Sequence, residues 1–95
     1  MPAYLIANLT VTDPAKYQEY RAGVAAALEA FGGQFLVRGG AVTQKEGAPF
    51  NRVVVVRFPD MATAEAFYHS PEYAGLLALR LAAAEGSLAL VEGVA

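Results

Sequence analysis

Between residues 3 and 12 the chain alternates, with Ala3, Leu5, Ala7, Leu9 and Val11 on one side of an extended segment and Tyr4, Ile6, Asn8 and Thr10 on the other. The alternation predicts a strand. Tyr4 and Ile6 make its second face partly apolar too, whereas a sheet covered by helices on one side normally turns a polar face outward. A further surface, such as a second copy of the chain, is therefore expected to cover it.

The period then changes. Asp13-Pro14 supplies an N-cap and a first-turn proline, and Tyr17, Tyr20, Val24, Leu28 and Phe31 recur at spacings of three and four up to Gly32-Gly33. This predicts a helix over residues 14–31. From Gln34 to Glu46 the pattern reads as a strand interrupted at Gly39-Gly40, where glycines permit a bulge or bend. Gly47-Ala48-Pro49 is turn chemistry, and the β-branched run from Arg52 to Phe58 returns as its hairpin partner.

Pro59-Asp60 opens a second helix, which Ser70-Pro71 breaks and restarts with a new cap and proline. In the restarted part Tyr73, Leu76, Leu77, Arg80 and Leu81 share a face; Gly86 is expected to end it, with Ser87 to Glu92 as the last strand. The order β, α, β, β, α, β is the split ferredoxin-like pattern of the α+β class. It predicts a four-stranded antiparallel sheet with its helices on one face, in one domain spanning residues 1–95.

Composition narrows the choices. Hydrophobic residues make up 56% of the 95 and charged residues 17%, against roughly 25% charged in ordinary soluble domains. So apolar a surface is easier to hide in an oligomer. Seven Lys and Arg against nine Asp and Glu give a net charge of −2 with no basic run, which argues against nucleic acid. Cysteine is absent and histidine occurs once, so one protomer has no thiolate chemistry and no multi-histidine metal site. No metal or cofactor is expected. The first residues, MPAYLIANLTV, lack a basic n-region and alternate instead of forming a membrane-length apolar run; the expectation is a cytoplasmic protein without membrane attachment.

Several segments together carry a resemblance: Asp13-Pro14 with Tyr17 and Tyr20, Phe35-Leu36-Val37-Arg38-Gly39-Gly40, Phe58-Pro59, Ser70-Pro71-Glu72-Tyr73, Arg80 and Val91-Glu92-Gly93. The chain resembles the bacterial family known as domain of unknown function 1330, of the dimeric α+β barrel superfamily. The resemblance implies a homodimer in which two four-stranded sheets pack face to face, with helices outside. It implies no activity and no catalytic residues. Related barrels include haem-degrading and cofactor-free monooxygenases and a lactone isomerase, so the scaffold hosts small-molecule chemistry without selecting a reaction.

Arg38 sits before two glycines, and its planar fork suits a carboxylate, phosphate or enolate oxygen. The alternative is a structural arginine that satisfies a bulge or pairs with an acid such as Glu92, itself a candidate base or counter-ion. Arg80, beside an apolar stripe, either aims into a cleft or snorkels outward into an ion pair. His69 has the side chain whose ordinary pKa lies nearest neutrality, so acid–base catalysis looks to it first, although a helix-end role explains it equally. Tyr20 and Tyr68 suit ligand hydrogen bonding or core packing. Asn8 either lines a pocket or sits on the partly solvated face, since a buried amide needs partners.

Two functions emerge as expectations. One is a homodimer that binds a small organic molecule between sheet and helices, an acidic one if Arg38 and Arg80 face one pocket, with cofactor-independent catalysis by Arg38 and His69 and ligand contacts from Arg38, Asn8, Tyr20, Tyr68, Arg80 and Glu92. The other is a non-enzymatic dimeric interaction domain, in which those residues face different surfaces.

Overall fold

A computed structural model describes residues 1–94. The strands are β1 (Ala3–Val11), β2 (Gln34–Arg38), β3 (Arg52–Phe58) and β4 (Ala84–Glu92), and the helices α1 (Pro14–Glu29), α2 (Met61–Tyr68) and α3 (Pro71–Ala83). The sheet has the order β2-β3-β1-β4, with every neighbouring pair antiparallel. This is the ferredoxin-like α+β arrangement that the alternation predicts.

The helices begin where the caps place them. The Asp13 carboxylate accepts from Lys16 N at 3.1 Å, and that of Asp60 from Thr63 N at 2.7 Å, satisfying first-turn N–H groups that have no partner within the helix. The hydrogen bonds from Thr63 hold the Asp60 carboxyl below its ordinary pKa. Between α2 and α3, Ser70 Oγ donates to Phe67 O at 2.7 Å and accepts from Tyr73 N at 3.2 Å. One buried hydroxyl thus closes one helix and opens the next.

The core lies between the helices and one sheet face. Ala3, Leu5, Ala7 and Leu9 are all buried, as are Val56 and Phe58 across the ladder. The Phe67 ring meets Tyr73, Phe58 and Phe31 at centroid distances of 4.5, 5.4 and 5.9 Å. Burying each such ring stabilises the fold by roughly 1.5–3 kcal/mol. The opposite sheet face keeps Ile6 42% and Val91 46% exposed.

Several boundaries differ from the sequence reading, among them the end of α1, at Glu29 and not residue 31. β2 stops at Arg38, and residues 39–51 form a loop instead of a resumed strand. Gly39, at φ 69°, turns the chain after a last hydrogen bond to Val53 O. Within the loop the Gln44 side chain is the organising group, donating to Glu46 O and Ala48 O and accepting from Phe50 N. At the other end, α3 ends at Ala83, whose carbonyl accepts from both Thr12 N and Asp13 N. Gly86 therefore lies inside β4, where a Cβ would collide with Asn8 O. Leu81 leaves the shared face of α3 and is 65% exposed.

Candidate functional site

Antiparallel pairing fixes which side chains meet beneath the helices. On β3, alternation puts Arg52 on the same side as buried Val56 and Phe58. On β2 simple alternation from Phe35 would send Arg38 to the opposite face, but the register shifts between Phe35 and Val37. Phe35 pairs with Val56 and Arg38 with Val54, so the extra residue, Leu36, turns Arg38 inward. A β-bulge, and not the glycine pair, sets the direction of Arg38.

Arg38, Arg52, Arg21 and Arg80 line one cavity between sheet and helices, with Tyr17 and Tyr20 as its other polar side chains. The remaining lining is hydrocarbon, including Leu5, Ala7, Val24, Val54 and Leu88. The enclosed space is about 30 Å³, enough for a few atoms and less than a benzene ring requires. Arg38 is exposed and stands at the mouth, whereas Arg80 is 6% exposed and lies deep.

Three of the four guanidiniums are held by oxygens or rings. Arg38 Nη2 donates to Arg21 O at 3.2 Å and its guanidinium lies 4.3 Å from the Phe35 ring centroid. Arg52 Nε donates to Tyr17 Oη at 2.8 Å. Gly39 makes room for that side chain, because a Cβ there would run into the Arg52 guanidinium. Arg80 Nε donates to Tyr73 Oη at 3.3 Å, and the Tyr73 and Tyr20 hydroxyls are 2.9 Å apart. Arg21 Nε is buried without any hydrogen bond.

Among the described residues no arginine forms an ion pair; the one salt bridge joins His69 Nε2 to Glu65 at 3.3 Å on the surface. Four positive charges on one apolar cavity repel one another, and the low-dielectric surroundings strengthen that repulsion. Burial disfavours the Arg80 charge, yet the oxygens of Tyr73, Tyr20 and Tyr68 more than offset it and raise its pKa. Burial, and then Tyr73, push the Tyr20 phenol far above its ordinary value.

The cavity thus gathers Arg38, Tyr20 and Arg80 from the sequence-predicted set. The others lie elsewhere. Asn8 is on the outer sheet face, opposite Val53, where it donates to Pro49 O and accepts from Asn51 N, at 3.1 and 2.9 Å. Its amide pins the end of the 39–51 loop to β1. Glu92 is exposed on β4, the edge opposite β2, and so cannot pair with Arg38. Tyr68 and His69 border a separate shallow groove with Glu65, Leu88, Ala89 and Leu90. No three His, Asp or Glu side chains among the described residues gather where a metal ion could be shared.

Arg21, Arg52 and Tyr17 were absent from the sequence-predicted set. Arg21 follows Tyr17 by four residues on the buried stripe of α1, and Arg52 heads the alternation that continues through Val54, Val56 and Phe58. Either period would have found them.

A family model described as a domain of unknown function, DUF1330, matches residues 2–94. The chain belongs to the DUF1330 family. Among solved structures, methylated RPA0582 is similar at a TM-score of 0.79 and 17% identity, over 99% of this chain and 82% of that one; a second structure describes RPA0582 as a protein of unknown function from Rhodopseudomonas palustris. SnoaB, a cofactor-independent oxygenase from Streptomyces nogalater, is similar at a TM-score of 0.68 and 17% identity, over 99% and 94%. HapK from Hahella chejuensis is similar at 0.65 and 20%, over 97% and 92%. These likenesses show that this DUF1330 chain shares its ferredoxin-like α+β fold with those structures. No curated protein gives a significant sequence match. No helix among the described residues is long and apolar enough to cross a membrane.

Proposed function

We propose that this DUF1330 protein is a cytoplasmic homodimer that binds a small organic acid in the cavity between sheet and helices. The observation that carries the reading is the convergence of four arginines on one apolar cavity lined by no carboxylate. An internal acid would normally neutralise such a group of charges. Here an anionic ligand would do so, entering past Arg38 with its charged head and leaving any larger body at the mouth. The arginine fork supplies paired donors matched to a carboxylate or enolate edge.

Dimerisation is the second part of the reading. The outer sheet face keeps Ile6 and Val91 well exposed, and Leu36 and Phe50 are 54% and 53% exposed. Packing two such faces together would bury them in the manner of the barrel fold. Cofactor-independent chemistry is the enzymatic form of the proposal; SnoaB, a cofactor-independent oxygenase, has a similar fold.

Native mass spectrometry of freshly purified protein, followed by denaturation to identify any molecule released, tests the reading. The expected result is a dimer carrying one acidic molecule per protomer, with Arg38→Ala lowering retention about tenfold for the loss of one charge-assisted contact. An empty protein whose cavity amides do not respond to small carboxylates would overturn ligand binding and favour a purely structural dimer. A monomer would overturn the assembly.

A further inference from the structure

The hydrogen-bond directions in the cavity restrict the ligand more closely than its charge does. A guanidinium only donates, so Arg80 Nε makes the Tyr73 oxygen an acceptor. Tyr73 is fully buried, and its hydroxyl proton has one oxygen in reach, that of Tyr20 at 2.9 Å. The reverse direction would strand the Tyr73 proton in the core without a partner, at the cost of an unmade buried hydrogen bond. Tyr73 therefore donates to Tyr20, and the Tyr20 proton is left for the cavity that its side chain lines. The same reasoning applies to Tyr17, whose oxygen already accepts from Arg52.

Resting on the reading of the cavity as an anion site, we infer that the site is built from donors alone, with Tyr20 directed at the ligand by Arg80 acting through Tyr73. Its polar side chains are four guanidiniums and the Tyr17 and Tyr20 hydroxyls, and no carboxylate, amide oxygen or imidazole lines it. The ligand group that enters carries acceptors only: a planar oxyanion such as a carboxylate or an enolate. A primary amide of the same shape would bring two N–H donors to a cavity whose side-chain acceptors, the Tyr17 and Tyr20 oxygens, are already engaged by Arg52 and Tyr73, which a buried site disfavours. Tyr20 stays protonated, since burial and Tyr73 raise its pKa far above the ordinary value; it serves as a donor and not as a base. Tyr73, which does not line the cavity, is a positioning residue.

Acetate and acetamide, isosteric probes that differ in this respect, provide the test, with binding monitored by chemical-shift titration of the cavity amides. Wild type should bind acetate at least about tenfold more tightly than acetamide. Tyr20→Phe should lose about tenfold in acetate affinity, and Tyr73→Phe several-fold, with the double variant no weaker than Tyr20→Phe alone, because one chain is cut at two points. If both single variants keep full acetate affinity, or if their losses add, the directed chain is wrong, while a loss in Arg38→Ala would still support the anion site. If acetate leaves every cavity amide unmoved, the anion reading itself falls and the inference with it. Urea unfolding of each variant separates lost binding from lost structure; should Tyr73→Phe not fold, Tyr20→Phe and the acetamide comparison decide the matter.

Discussion

The two faces of the sheet come from the same strands and differ in their covering. Beneath the helices Ala3, Leu5, Ala7 and Leu9 are almost completely buried, and the charges admitted there are arginines at the cavity. On the other face, one residue away along β1, Ile6 is 42% exposed and Asn8 fastens a loop. The inner face is packed within one protomer apart from the arginine-lined cavity. The outer face keeps Ile6 and Val91 exposed, and the end of the 39–51 loop is tied to it through Asn8. A period of two thus sorts side chains onto faces, but the partner of each face is decided by the rest of the fold.

Breaking the outer face should have the largest effect. Ile6→Asp would put an uncompensated charge into the proposed sheet-to-sheet interface, at a cost of roughly 3–5 kcal/mol; sedimentation should show the dimer dissociation constant raised at least about a hundredfold. An unchanged dimer would mean that this face does not carry the association.

Next comes the inner face. Arg80→Met removes the deepest cavity charge, so acetate affinity should fall at least about tenfold. Folding stability in urea should fall by about 1 kcal/mol, because the buried Tyr73 oxygen loses its donor while a long apolar side chain fills the space. A loss above about 2 kcal/mol would instead mark Arg80 as a structural residue whose tyrosine contacts hold the core.

A smaller effect is expected at the edge where the faces meet the loop. Gly39 has φ 69° and lies against the Arg52 guanidinium. Gly39→Ala should cost roughly 1–2 kcal/mol in urea unfolding from the left-handed backbone, and displacing Arg52 should weaken acetate binding several-fold. A stability loss without any change in binding would show that Arg52 does not contribute to the ligand site.

The smallest effect is expected away from both faces. The His69 and Glu65 side chains are 70% and 55% exposed, so His69→Gln should change stability by less than about 0.5 kcal/mol and leave acetate affinity unaltered in the same titration. A clear fall in affinity would move the functional site to the groove beside α2.

Much of the fold was legible because its signals are local. Asp13-Pro14 and Ser70-Pro71 start helices through short-range hydrogen bonds and a fixed proline φ, and they do so in the structure. The misplaced stretch, from Gly39 to Glu46, has strand-like residues but no partner strand, and the Gln44 side chain bonds the turn that follows it instead. Among candidate site residues, Tyr20 and Arg80 lay on readable helical stripes. Arg21 and Arg52 were equally readable by their periods, and the preference for unusual neighbours, such as the glycines after Arg38, passed over them.

By itself the sequence determined the order of elements, the caps and the two-faced strands, because each depends on residues within a few positions of one another. It also determined the absence of thiolate chemistry, since no cysteine is present. Only the tertiary structure decided that Arg38 turns inward, since a one-residue bulge reverses every side chain beyond it. Likewise only the sheet order separates Arg38 from Glu92, by placing β2 and β4 on opposite edges. The convergence of Arg21, Arg38, Arg52 and Arg80 joins residues up to 59 positions apart, from α1, β2, β3 and α3. Such a meeting has no local signature, because it is made by packing the helices onto the sheet.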